Sequence, residues 1–173
     1  MSARAAWRLE SLGLTDVYRY APGKTDWFAA GLAREGDLAG LPRIGDAANP
    51  DVPTCGPGET VGEVRRRLAA AGEDLCVVLN DRRVVLGLVR EKHLGGAPDG
   101  PVDDVMDPGP VTYRPDTLLA EMVEHMQASQ GRVNRTLVTS ADGELIGLLR
   151  RSDAEHALHA AHTAHTAHEQ RVT

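Results

Sequence analysis

The stretch IGDAANPDVPTCGP (Ile44 to Pro57) recurs as VDDVMDPGPVTYRP (Val102 to Pro115), and that recurrence decides the fold. Laid over one another without a gap, Asp46 meets Asp104, Pro50 meets Pro108, Thr54 meets Thr112 and Pro57 meets Pro115. Each copy continues through a helix-like stretch into two apolar runs around a polar turn, CVVLNDRRVVLGLV from Cys76 and TLVTSADGELIGLL from Thr136. Self-similarity at such a period marks two copies of one supersecondary unit, each needing the other to cover its apolar face. Function is therefore expected between the copies.

Within a copy the order reads strand, helix, strand, strand, helix. In the first, Thr60 can cap a helix with Glu63 completing a capping box, Val61, Val64 and Leu68 form its apolar face, and Gly72 stops it. In the second, Thr117 is expected to open a helix with Leu118, Leu119, Met122, Val123 and Met126 inward. The strands that follow turn at Asn80 to Arg83 and at Ala141 to Gly143, and their continuous apolar runs predict cover by helices on both sheet faces. A last helix is expected to open at Ser152, capped by a box with Glu155. The fold class is thus α/β: two pseudo-symmetric repeats (β-α-β-β-α) packed sheet to sheet, behind a short N-terminal helix-strand-helix segment.

Composition narrows the partners. A net charge of −6 and an aromatic content of 3% argue against nucleic acid, which rewards basic stripes and stacking platforms. No apolar run approaches the roughly 20 residues needed to cross a bilayer, and MSARAAWRLESLG lacks a signal-peptide core, so the chain reads as cytoplasmic and without a membrane partner. Cys55 and Cys76 have no metal-ligand spacing and read as free thiols.

Order and phrasing together resemble the CBS domain family, whose tandem pairs are called Bateman modules. The resemblance spans about Arg43 to Ala160 and rests on DVMDPGPVTYRPDTLLAEMVEHM, on GRVNRTLVTSADGELIGLLRRSD and on the weaker GLVREKH of the first copy. It implies a non-enzymatic regulatory module, a homodimer through the pair, and an adenosine ligand in an inter-repeat cleft: AMP, ADP, ATP or S-adenosylmethionine. The ligand-binding set it implies is Asp153, Arg150, Thr54, Val77, Arg90, His93, Thr112, Val133 and Asn134, with no catalytic residue and no metal.

This chain departs from the family pattern in a telling way. A glycine in the last strand is followed in the family by a hydroxyl residue and then by an acid that accepts hydrogen bonds from a ribose diol. The second copy reads Gly147, Arg150, Asp153 and the first Gly87, Arg90, His93. An arginine replaces the hydroxyl in both, and could bind phosphate bidentately. Tracking the halves of each cleft puts Asp153 with Glu73 and Asp74, and puts Val133 and Asn134 with His93 and Arg90. Plainer roles stand beside these: Asp153 in a first helical turn favours the helix dipole with or without a ligand, and the arginines serve equally as surface ion-pair partners. Met106, Met122 and Met126 read as core, and His125 as an exposed or capping side chain.

The chain ends are less informative. His156, His159, His162, His165 and His168 recur every third residue, but steps of about 100° spread them around a helix, so the tract reads as a solvated tail. Residues 1–36 contain helical spacing in AAWRLESLG, a strand candidate DVYRY and a second helical stretch KTDWFAAGLA. This segment is similar to the last third of a rhodanese domain, closing on Gly23 to Trp27, without the cysteine that precedes its first helix in that family. That likeness implies a packing or dimer arm, or part of a rhodanese-CBS protein. The expected organisation is 1–36 rhodanese-like, 37–100 first repeat, 101–160 second repeat and 161–173 tail.

Overall fold

The computed structural model describes residues 3–18, 20–21, 23–30, 32–36, 39–96 and 98–172. Two small sheets form its centre. In the first repeat, β1 (Thr54–Cys55) runs parallel to β2 (Leu75–Leu79), which pairs antiparallel with β3 (Val85–Arg90); β4 (Asp107–Pro108) then adds to the far edge. In the second, β5 (Thr112–Tyr113), β6 (Arg135–Thr139) and β7 (Leu145–Arg150) repeat the same directions. Thr54 lies opposite Val77 as Thr112 lies opposite Leu137, and Gly87 opposite Val78 as Gly147 opposite Val138. The two copies are equivalent residue by residue.

The segments that lead into each repeat cross over. Ile44, in the one-turn α3 (Ile44–Ala47), is buried among Leu119, Met122 and Met126 of the second repeat. Its counterpart Val102, in a 3-10 turn (Val102–Asp104), is buried among Val61, Val64 and Cys76 of the first. Backbone bonds match: the Ile44 amide donates to the Thr117 carbonyl, and the Val102 amide to the Glu59 carbonyl. At the turns, the Val85 amide donates to the Gly143 carbonyl and the Leu145 amide to the Arg83 carbonyl. Such reciprocal pairs are what a twofold axis between the repeats produces.

Gly87 and Gly147 are small because the crossing leaders press on them. A Cβ on Gly147 would come within 2.5 Å of the Asn49 carbonyl oxygen, and one on Gly87 within 2.6 Å of the Met106 sulfur. Glycine is the residue that lets another backbone approach this closely.

The sheets face one another through Leu75, Val77 and Leu79 of one repeat and Leu137, Leu145 and Leu148 of the other, all buried. Each opposite face carries helices: α4 (Val61–Ala71) in the first repeat, α5 (Leu119–Ala128) and α6 (Arg151–Val172) in the second. The sheet-to-sheet packing expected of the repeats holds, whereas helices on both faces of each sheet do not: one face is covered by the partner sheet and the other by helices, because two sheets hide continuous apolar strands equally well. Burial of each such leucine or valine is worth about 1.5–3 kcal/mol, so the seam is a substantial part of the fold's stability.

Helix ends hold further corrections. Thr60 caps α4 with the Glu63 box formed, and Gly72 closes it in the left-handed conformation (φ 65°). α5 starts one residue later than expected, with Leu118 at the N-cap and Thr117 outside; the Leu119 amide finds the Pro42 carbonyl instead of a side-chain cap. α6 opens at Arg151, directly after β7, without a Ser152–Glu155 box: the Arg151 amide donates to the Asn134 carbonyl, and Glu155 bonds Arg151 and Gln127. Among its described residues the first repeat forms no closing helix. Glu91–His93 makes a single 3-10 turn, since Gly95, Gly96 and Pro98 follow and cannot propagate one.

The helical backbone of α6 carries the histidine tract out to Val172. His156, His159 and His162 are exposed on it, whereas the side chains of His165 and His168 lie outside the described residues. The N-terminal arm consists of α1 (Ala3–Ser11) and α2 (Lys24–Ala29). The strand expected at DVYRY is not formed by its described residues. Tyr20 donates to Asp26 and stacks edge-on against Trp27, with ring centroids 5.3 Å apart, and Tyr18 is 85% exposed. A strand needs a sheet edge to pair with, and this arm is held to the repeats by other means, including the Arg34–Asp46 ion pair at 3.4 Å.

Candidate ligand clefts between the repeats

The pseudo-twofold axis makes two equivalent hollows at the seam, and they differ sharply in size. One is about 550 Å³ and is walled by Leu75, Leu88, Leu148, Tyr113 and Val133, with Asn134 and three arginines, Arg90, Arg132 and Arg135, at its polar side. The other is about 10 Å³, between Asn49, Val52, Pro53, Glu73, Leu148 and Arg150. The first has room for a nucleoside-sized ligand, and the second has room for nothing larger than a water.

Two residue differences between equivalent positions explain the contrast. At the lip of the open cleft stands Asp107, whose counterpart at the other is the neutral Asn49. At its mouth stands Val133, whose counterpart is Glu73. Arg90 therefore turns to Asp107 at the lip, leaving the apolar mouth clear. Arg150, the equivalent arginine, finds no acid at Asn49 and turns to Glu73, and that ion pair fills the hollow.

Further charge lies beside the seam. Arg135 opens β6 where the first repeat has Leu75, a residue 2% exposed in the inter-sheet core. Its guanidinium crosses the seam and grips Asp74 with two bonds of 2.5 and 2.7 Å. Those hydrogen bonds hold the Asp74 carboxyl below its ordinary range and raise the Arg135 guanidinium. Next to the open cleft, and sharing Asn134 and Arg135 with it, is an open basin of about 400 Å³ lined also by Arg150, Arg151, Ser152 and Glu155.

The structure brings together part of the set expected from sequence. Val133, Asn134 and Arg90 line the open cleft, and Arg150 plugs the closed one. His93 does not line the cleft; its Nδ1 is 4.0 Å from the Asp107 carboxylate. Asp153 is exposed in the first turn of α6, takes a bond from Ser152 Oγ, and lines neither hollow. Thr54 and Thr112 sit in the short parallel strands, the Thr54 carbonyl accepting from Arg67, and their side chains line neither hollow. Val77 is fully buried in the inter-sheet core. His125 is exposed, as expected, and bonds Tyr113 through Nε2 at 3.1 Å on the cleft wall.

Arg132, Arg135 and Asp107 were not singled out from sequence. The signal was present for two of them: Arg135 replaces a core leucine between equivalent strands, and Asp107 replaces an asparagine between equivalent leaders.

Comparison with known proteins supports the same division of the chain. The family model described as CBS domain matches twice, at residues 44–96 and 102–160, and the chain belongs to that family. No curated protein matches it. Among solved structures it is similar to CBSX2 of Arabidopsis thaliana in complex with AMP, at 23% identity and a TM-score of 0.59, covering 67% of this chain and 95% of that one. It is similar also to the cytosolic domain of the Mg2+ channel MgtE in complex with ATP, at 25% identity and a TM-score of 0.60, covering 70% of this chain and 51% of that one. A third is the CBS domains of a transcriptional regulator from Streptococcus pneumoniae, at 19% identity and a TM-score of 0.58, covering 66% and 97%.

Proposed function

We propose that this chain is a non-enzymatic regulatory module that senses an adenosine-containing ligand in its one open cleft. The observation that carries the reading is the asymmetry of the clefts: an apolar, nucleoside-sized hollow edged by Arg90, Arg132 and Arg135 on one side of the axis, and an ion pair in the equivalent space on the other. Apolar walls suit a base, and arginines suit phosphate. Two similar structures were solved with AMP and with ATP, which supports the choice of ligand class.

A thermal-shift panel with AMP, ADP, ATP and S-adenosylmethionine tests this. A ligand that prefers the native state stabilises it by mass action, by about 2.7 kcal/mol at a hundredfold excess over Kd. A raised melting temperature with at least one of the four is expected, with one ligand bound per chain by calorimetry. No shift with any of them sinks the sensor reading.

A second reading is a ligand-free homodimer. It is favoured by an apolar groove of about 250 Å³ on the helical side, where Leu41, Pro42, Leu118, Ala120, Leu158 and Ala161 leave non-polar surface open. Analytical ultracentrifugation decides it: a dimer that Leu158→Glu converts to monomer supports the reading, and a monomeric native chain rejects it.

A further inference from the structure

We propose that Arg135 is a phosphate-binding residue held in reserve by Asp74, and that a nucleoside polyphosphate in the open cleft draws it off and so loosens the seam between the repeats. The inference rests on the reading of that cleft as the nucleotide site and goes further by naming the ligand class and the bond it exchanges.

Position comes first. Arg135 occupies a strand-opening site whose equivalent is the buried Leu75, and it lines both the open cleft and the basin beside it. A ligand whose base lay between Val133 and Leu88 would therefore extend its phosphates past Arg135 toward Arg150, Arg151 and Ser152.

Charge gives the class. The polar edge of the cleft carries Arg90, Arg132 and Arg135 against the single acid Asp107, which already takes Arg90. Arg132 lines the cleft, bonds the Ser129 carbonyl through Nε and makes no ion pair among the described residues. In the basin, Arg150 and Arg151 are engaged by Glu73 and Glu155. The excess at the cleft is positive, which suits phosphate and opposes the sulfonium of S-adenosylmethionine. A longer phosphate chain reaches more of the arginines.

Energetics permits the exchange. Asp74 is 52% exposed and Arg135 36%, so their ion pair belongs to the solvent-screened class that stabilises by about 0–1 kcal/mol. A phosphate offers the same forked geometry with more charge. Asp74 is thus a competitor that the ligand can displace, and its release unties one of the two ion pairs joining the start of β2 to the second repeat.

Calorimetry on the full chain tests the proposal, with Asp74→Asn, Arg135→Gln and Arg135→Lys melted beforehand to verify folding. Native chain should bind ATP and ADP more tightly than AMP, and S-adenosylmethionine least. Asp74→Asn should tighten ATP about threefold, and Arg135→Gln should weaken it about tenfold, equivalent to about 1.4 kcal/mol for a lost charge-assisted bond. Arg135→Lys should fall between, since it keeps the charge and loses the fork. Combined with Arg135→Gln, Asp74→Asn should add nothing. If ATP binds the native chain while every variant stays within twofold of it, the exchange is refuted and the nucleotide site stands. If no nucleotide binds the native chain, the site itself is refuted and the exchange with it.

Discussion

The two clefts are built by equivalent backbone, yet one is open and the other is filled by a salt bridge. Each has an arginine at the end of the second of its repeat's two long strands, Arg90 of β3 or Arg150 of β7, and the difference lies in where that arginine finds an acid. At Asp107 the acid stands on the lip; at Glu73 it stands in the mouth. Duplication conserved the frame, and two side chains decided which half of it can hold a ligand.

The halves are most sensitive at the glycines that keep them equivalent. Gly147→Ala should destabilise the fold more than Gly87→Ala, because the first Cβ meets backbone of Asn49 at 2.5 Å and the second meets mainly the flexible Met106 side chain. Overpacking of this kind costs about 1–3 kcal/mol, and a chain of this size loses about 2–4 °C of Tm per kcal/mol, so thermal denaturation separates the two. Equal melting temperatures would contradict the close backbone crossing at Gly147.

Glu73→Val gives the closed cleft the residue found in the open one. Arg150 then loses its partner, and calorimetry should find a second, weaker ligand site where the native chain shows one. Its stability cost should stay near the 0–1 kcal/mol of a partly exposed ion pair. A stoichiometry unchanged at one would mean that something other than the Arg150–Glu73 pair closes that hollow.

Smaller effects follow from Asp74. Its folded pKa lies below the unfolded value, so its stabilising share is complete above the unfolded pKa and is lost as pH falls through the folded one. At half exposure the share is screened to well under about 1 kcal/mol. Asp74→Asn should therefore lower stability at neutral pH by well under about 1 kcal/mol and converge with the native chain at low pH, which flattens the acid limb slightly; a steeper acid limb would contradict the Arg135 bond. Smallest of all, Asp153→Ala should shift stability within about ±0.5 kcal/mol and leave nucleotide affinity unchanged, because the side chain is exposed and lines neither hollow. A lost thermal shift in that variant would restore Asp153 to the site.

Much of this architecture is legible in the residues. The gapless match of Ile44–Pro57 with Val102–Pro115 predicts equivalent strands, and Thr54 and Thr112 do occupy equivalent registers. Thr60, Glu63 and Gly72 set the limits of α4 through local bonds, which is why sequence places that helix well. Helix starts satisfied from elsewhere are less legible: the first amides of α5 and α6 go to Pro42 and Asn134, partners remote in sequence. DVYRY has strand composition, but composition supplies no sheet edge.

Two like units with apolar strands, small residues at Gly87 and Gly147 and an arginine after each are evident in the residue order alone. The exchange of the leaders, the meeting of Glu73 with Arg150 and the reach of Arg135 across the seam to Asp74 arise from packing. Periodicity and capping are properties of neighbouring residues and can be read along the chain. Which acid an arginine reaches depends on distances across a fold axis, and those exist only once both halves are packed.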